Sequence, residues 1–498
     1  MNVNPITRLD YPDPDVIRVE DTYYMVSTTM HFMPGCEILQ SFDLVHWEHV
    51  TYVYETLDHT DAQQLKSGQN IYGQGMWAAS LRYHEGRFYI CFVANDTRKT
   101  YLYTSEKIDG PWKKQLIEGF YHDGSLLFDE DGRNYIVYGN DEIWITELNE
   151  DLTAPKKDGL HRLLVSDHKN PELGYEGSHI QKINGYYYIF LIHSLRDRWM
   201  RTEACFYSDS LEGEFTGGDV LCDDRGYCGQ GVAQGGIVDT PDGKWYAMLF
   251  QDSGAVGRLP ILLPVTWKDH FPVFGQNGHV PEEIEVHSTR PGYIYQPLVG
   301  SDDFCNGLLP RWQFNHDPDP RYYHLDALQG TYTITTREVC TELTQAVNTL
   351  TQRMSYPSCA AEVTVDASAL KEGDVAGLCA LQSCYAAVGI TKHHGKYEVL
   401  MLDKKEDGIL DMTEGTVVES HQMDFRLEAD FCNMKDEARC YYRVNKGDWI
   451  SIGTVHKLYF KLDHFTGCRF GLFCYAAEET GGSACFRDFK YYDVDEIS

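Results

Sequence analysis

Three absences narrow the reading before any motif is found. No run of about 18 apolar residues occurs, which argues against a membrane-spanning helix. No CxxC pair occurs among the 15 cysteines, which argues against a zinc knuckle or a thioredoxin-type redox motif. Basic residues are scarce: 43 Lys and Arg stand against 75 Asp and Glu, a formal net charge of −32. Such a field repels nucleic-acid phosphates and anionic membranes but does not oppose a neutral substrate. The opening segment MNVNPITRLD has neither a basic stretch nor an apolar stretch of secretory type. The cysteines are odd in number, and several (Cys91, Cys205, Cys474) sit inside apolar runs, where a free thiol packs as a small hydrophobe. Together these point to reduced thiols and a cytoplasmic location.

Helical periodicity is hard to find as well, whereas aromatics make up 13% of the chain, with 34 Tyr. A two-residue turn followed by aromatics and a short apolar strand recurs as EDTYYMVST, EGRFYICFV, DGRNYIVYG, NGYYYIFLI and DGKWYAMLF. Acid-Gly and Asn-Gly between apolar runs are strong hairpin signals. The turn positions are Thr22, Gly86, Gly132, Gly185 and Gly243, about 46 to 64 residues apart. Each interval accommodates four short strands, the content of one propeller blade. The expectation is all-β: a five-bladed β-propeller over residues 1–292.

Counting nine residues back from each turn reaches Asp13, Trp77, Asp123, Glu176 and Gln234. Each heads the first long strand of its blade, the strand that lines a propeller's central channel, so the five side chains are expected to converge. Asp15 competes with Asp13, because residues i and i+2 share one side of a strand; the nine-residue phase favours Asp13. Three carboxyls around one funnel repel one another, and such clusters are kept mainly for metals or acid–base work. Glycoside hydrolysis needs two carboxyls of opposite protonation, one to protonate the leaving oxygen and one to activate water or attack carbon. Trp77 beside them would stack on the apolar face of a sugar.

The segments NPITRLDYPDPD, MWAASLRYHEGRFYI, HDGSLLFDEDGRNYIVYG and YEGSHIQKINGYYYIFL together resemble glycoside hydrolase family 43, five-bladed propeller enzymes that remove xylose or arabinofuranose from plant polysaccharides. The resemblance implies Asp13 as general base, Glu176 as general acid, and Asp123 as the acid that raises and orients the general acid. It also implies substrate contacts for Trp77, for Phe32 as a hydrophobic wall and for Arg258 in GRLP. Two positions depart from the family pattern. Asp15 stands where a Ser is usual after Pro-Asp-Pro. Gln234 stands where the family usually has a His, often tied to calcium or water on the axis; it is expected as a further substrate contact that can hold a water, and no catalytic metal and no required cofactor are expected.

After Pro291 the pattern changes to short alternating strands such as AAEVTVDA, YEVLML and CYYRV. Residues 293–498 read as an antiparallel β-sandwich, similar to the concanavalin-like jelly roll appended to family 43 xylosidases. Asp302–Phe304 (DDF) and Arg487–Phe489 (RDF) suggest paired first and last strands, with a structural Ca2+ conceivable there. Phe465 in HFTG is a candidate to narrow the pocket. The expected activity is exo-acting, inverting release of xylose from β-1,4-xylo-oligosaccharides. α-L-Arabinofuranosidase, alone or alongside it, and a non-catalytic sugar-binding propeller are the alternatives. The expected partner is a small oligosaccharide, with no nucleic acid and no membrane; a homo-oligomer is left open.

Overall fold

Short strands joined by tight turns build almost the whole protein, a computed structural model in which residues 2–493 are described. The helical elements among these residues are four three-residue 3-10 turns, such as Lys66–Gly68. None is long and apolar enough to cross a membrane. All 15 cysteines are unpaired.

Five antiparallel sheets follow one another along the chain, each running outward in sequence order. Their inner strands are Asp15–Val19, Met76–His84, Ser125–Phe128, Glu176–Ile183 and, in the fifth blade, Val232–Ala233 with Ile237–Asp239. Inner strands of neighbouring blades pack on each other, so the molecule is a five-bladed propeller with these strands around its axis. Apolar side chains fill the spaces between blades, for instance Ile38, Leu81, Ile90 and Phe92 between the first two. The Asn184–Gly185 turn shows why the sequence signal was readable. Both residues have positive φ (51° and 84°), as a two-residue hairpin turn requires. The N-terminal strand Asn2–Val3 pairs with Glu283–Ile284 and closes the ring. Asn4 reinforces the clasp, its side chain donating to the Leu262 carbonyl (2.7 Å) and accepting the Leu262 N–H (3.0 Å).

The second domain is a sandwich of a nine-stranded and a seven-stranded sheet. As DDF and RDF suggest, its two ends meet: Asp302 bridges Phe489. The Asp302 carboxylate accepts the Phe304 N–H and the Trp312 indole N–H, each at 2.8 Å.

The two domains share structure. Phe32–Met33, in a loop of the first blade, pairs with Gln313–Asn315 and becomes the edge strand of the nine-stranded sheet. In return Ala255, Val256 and Leu259 of the fifth blade belong to the apolar core of the sandwich. Arg353 of the sandwich forms a buried ion pair with Glu37 (2.8 Å). Burial alone would raise the Glu37 carboxyl, but Arg353 and His49 hold it at about 2. Removing one partner of such a pair leaves a buried charge uncompensated, at a cost of about 3–5 kcal/mol.

Candidate active site

The head of each inner strand carries a residue in the left-handed region: Asp13 (φ 52°), Ala78 (29°), Asp123 (48°), Gly177 (65°) and Gln234 (61°). These five are the equivalent positions. Counting from the turns finds three of them and misses two by one residue, because the count starts one residue past the turn in blade 1 (Thr22), at the second turn residue in blades 2 and 4, and inside longer turns in blades 3 and 5. Two residues separate the paired strands in blades 1, 2 and 4 (Val19↔Thr22, His84↔Arg87, Ile183↔Tyr186), and five do so in blades 3 and 5 (Phe128↔Asn134, Asp239↔Trp245). Trp77 and Glu176 each precede the left-handed residue and sit at a β-bulge, with register shifts at Trp77/Ser80 and Glu176/His179. A bulge re-aims a side chain, and here it turns Trp77 and Glu176 into the same funnel. Gly177 has a second reason to lack a side chain: a Cβ there would lie 2.7 Å from Gln234 Cγ.

Asp13 is buried, and both its oxygens accept. Arg258 Nη1 donates to Oδ1 at 2.9 Å, and the Thr28 hydroxyl donates to Oδ2 at 2.6 Å. The Thr28 oxygen itself accepts the Ala78 N–H (2.8 Å), which fixes the direction of its proton. Asp123 is buried too and accepts the Gly177 N–H at 3.0 Å. Burial raises its carboxyl to about 6; the negative charges of Glu176 and Asp13 push the same way, against His122 and the Gly177 N–H. Glu176 is more open and accepts from the Asn140 amide at 2.7 Å. His122 Nε2 stands 3.5 Å from both Asp123 Oδ2 and Glu176 Oε2. The nearest polar atoms of His122, Asp123 and Glu176 all lie within 4.8 Å of one another.

Arg258 reaches Asp13 because the loop before it is anchored in the sandwich. Its own N–H donates to Asp10 Oδ1 (2.7 Å), and Asp10 Oδ2 accepts the Gly467 N–H (2.8 Å) from the sandwich. The same sandwich loop brings Phe465, whose ring lies 5.5 Å from Trp77 and 4.4 Å from the Arg258 guanidinium. Its carbonyl accepts from Arg258 Nη2 (3.4 Å). Tyr72 stacks on His464 in parallel at 3.8 Å and braces that loop against the propeller. The funnel is therefore acidic at its floor and aromatic on one wall, with the wall supplied by both domains.

The profile for glycosyl hydrolases family 43 matches residues 3–272, more than half of the chain. The chain belongs to glycosyl hydrolase family 43. Residues 301–492 match the β-xylosidase C-terminal concanavalin A-like domain that accompanies many family 43 propellers. A β-xylosidase of Formosa agariphila is 26% identical over 99% of this chain and 89% of its own length. A non-reducing end α-L-arabinofuranosidase of Bacteroides ovatus is 24% identical over 82% of this chain and 79% of its own. A solved structure described as a bifunctional GH43-CE protein of Bacteroides eggerthii superposes with a TM-score of 0.92 at 42% identity. That match covers 99% of this chain, which spans 64% of the bifunctional protein's length. This family 43 protein is a glycosidase.

Of the residues singled out in sequence, Asp13, Asp123, Glu176, Trp77, Arg258 and Phe465 are brought together. Gln234 stands beside them, its backbone N–H donating to Glu203 Oε2 (2.7 Å). Its side-chain amide forms no hydrogen bond among the described residues. Phe32 is not brought to the funnel, and the expectation of a sugar-facing wall there is corrected. As part of the shared edge strand it is 2% exposed, packs among Leu343, Tyr385 and Phe473 of the sandwich, and carries the Arg469 guanidinium 3.5 Å above its ring.

Asp15 belongs to the axis below the acids. It accepts from Arg82 Nη1 (2.8 Å) and the Leu81 N–H (2.7 Å), and lies 3.1 Å from His179 Nδ1. Burial opposes ionisation of Asp15, but Arg82 and His179 hold its carboxyl below the usual range. Arg82 also reaches Ser125 Oγ (2.7 Å) and the Leu126 carbonyl (2.8 Å), so its guanidinium bridges blades across the channel. Asp15 is not free to hold the calcium ion associated with the family, because Arg82 takes its carboxylate. Beneath Arg82 the channel widens into a cavity of about 420 Å3 lined by residues such as Val16, Leu127 and Gln181.

Three contributors escaped the sequence reading: Thr28, Asn140 and His122. The His-Asp pair in HDGS was the available signal for His122. Glu203 is a fourth, completely buried in the third strand of blade 4 (Arg201–Ser208). Burial raises its carboxyl well above the ordinary range, against the Gln234 N–H that it accepts.

Proposed function

We propose that this protein is an exo-acting, inverting β-xylosidase that releases xylose from the non-reducing ends of β-1,4-xylo-oligosaccharides. The carrying observation is the convergence of Asp13, Asp123 and Glu176, from three different blades, in one funnel walled by Trp77 and Phe465. Asp13, held by Arg258 and Thr28, takes a proton from water as the water oxygen attacks the anomeric carbon. Glu176 gives its proton to the glycosidic oxygen as the carbon–oxygen bond breaks. Asp123, buried beside Glu176, orients it and competes with it for the proton. The sandwich loop carrying Phe465 closes one side of the funnel, which favours a chain end over the middle of a polysaccharide.

NMR of the sugar released from xylobiose tests both substrate and stereochemistry. The α-anomer of xylose should form first; initial release of the β-anomer would overturn the inverting assignment. Glu176→Gln should lower xylobiose turnover by several orders of magnitude, and near-normal turnover would overturn the role of Glu176. A second reading, α-L-arabinofuranosidase activity, is favoured by the similarity to the arabinofuranosidase of Bacteroides ovatus. Parallel assays on 4-nitrophenyl β-D-xyloside and 4-nitrophenyl α-L-arabinofuranoside separate the two. A silent sugar-binding propeller is disfavoured by the intact set of three acids.

A further inference from the structure

The geometry points to His122 as a working member of the acid machinery: its imidazole bridges Asp123 and Glu176 and returns a proton to Glu176 after each turnover. This rests on the reading of Glu176 as the general acid. His122 is held in place through its backbone, whose carbonyl accepts the Gly139 N–H at 3.0 Å. Gly139 precedes Asn140, the residue that holds Glu176, so one strand end sets both partners of the acid. The imidazole Nε2 is buried, stands 3.5 Å from each carboxylate and makes no hydrogen bond to either. A shift of about half an ångström would convert either contact into a hydrogen bond.

The charges facing the ring are Asp123, Glu176 and, opposing them, Arg98, whose guanidinium stacks 3.8 Å over Phe120. Trp77 covers another side at 6.2 Å. The Asp123 charge, against burial and with help from Glu176, raises the imidazole to about 9, so it enters each cycle as imidazolium. Once the leaving group has taken the proton of Glu176, an N–H bond of His122 breaks and an O–H bond forms on Glu176. Asp13 releases to solvent the proton it took from the attacking water, and solvent returns one to His122. Charge and protons balance over the cycle.

The test compares the wild type, His122→Gln, His122→Ala and Glu176→Gln on xylobiose and on 2,4-dinitrophenyl β-D-xyloside, whose leaving group departs without a proton. His122→Gln should lower kcat on xylobiose about 10- to 100-fold and on the dinitrophenyl xyloside less than about threefold. Its alkaline limb on xylobiose should move to lower pH, and imidazole added to His122→Ala should restore part of the xylobiose turnover. Equal losses on both substrates, an unmoved alkaline limb, or no rescue in a variant with wild-type thermal unfolding would overturn the proposal. Glu176→Gln is the separate control. If it shows no leaving-group dependence, the assignment of the acid fails; if it does and the His122 variants do not, only the role of His122 fails.

Discussion

Phe465→Ala asks whether the sandwich takes part in the chemistry or only props up the propeller. The ring pairs with Trp77 at 5.5 Å and lies 4.4 Å from the Arg258 guanidinium. An aromatic pair contributes about 1 kcal/mol, and a partly desolvated cation–π contact about another 1 kcal/mol. On the proposed function both partners line the sugar site, so about 2 kcal/mol of ordering should be lost from the transition state. That corresponds to a fall of about 30-fold in kcat/KM. The loop itself should stay seated, because its anchors are backbone atoms: the Phe465 carbonyl on Arg258 and the Gly467 N–H on Asp10. Thermal unfolding should therefore move by only a few degrees. The assay is kcat/KM on 4-nitrophenyl β-D-xyloside beside a melting curve, followed by product analysis on xylotetraose, where a missing wall should relax the preference for chain ends. A variant within twofold of wild type on all three counts would refute the reasoning and return the sandwich to a purely structural role.

Glu203→Ala, which strands the Gln234 N–H, should cost about 1–3 kcal/mol in denaturant unfolding, whereas Glu203→Gln, which keeps an oxygen to accept that N–H, should cost less. Asp123 holds its proton more tightly folded than unfolded, so the stability it contributes is complete below about pH 4 and lost as pH rises towards 6. The shift is worth about 3 kcal/mol, and the pH dependence of unfolding over that window should flatten in Asp123→Asn. His122, also raised, stabilises fully below about pH 6.5 and loses that contribution as pH passes 9; Asp123→Asn should move this loss to lower pH, because the Asp123 charge is its main cause. Gly467→Ala would drive a Cβ into the Val256 carbonyl, so it should lower both the melting temperature and kcat/KM, unlike Phe465→Ala.

Much of the architecture was legible because hairpin turns are chemically loud. Asn184–Gly185 and Glu85–Gly86 must adopt positive φ, and few residue pairs do so cheaply. The three acids proposed to be catalytic were legible through the same periodicity, although the count reached Trp77 and Glu176 one residue before the equivalent position. The bulges at Trp77 and Glu176 turn these side chains into the funnel from there; neither turn length nor bulge is marked in a single sequence. Phe32 was misplaced for a related reason. Its loop does return to the active-site end, as the Met30–Met76 bridge shows, but two residues later the chain has joined a sheet of another domain. Nothing local in HFMPG announces a partner almost 300 residues away. Thr28 and Asn140 were unmarked because each acts through one contact to an acid on a different segment, and the link from His122 to Glu176 spans two blades. Such contacts become visible only when the blades close.

On the proposed mechanism, the placement of the cations explains why the three acids would take different roles. Arg258 is committed to Asp13 at 2.9 Å and is itself fixed by the sandwich through Asp10, so Asp13 accepts protons from a position that cannot drift. His122 faces the other two acids equally. With one fixed cation for one acid and one shared cation for two, the pair Asp123–Glu176 carries one negative charge in excess. A proton is the cheapest ion to make up the difference in a buried site. Of the two, Asp123 is sealed beneath the Gly177 N–H while Glu176 is open to the funnel, so a proton held by the pair can reach a glycosidic oxygen only through Glu176. The division of labour between base and acid thus follows from where two cations are anchored, and one of those anchors lies in the second domain.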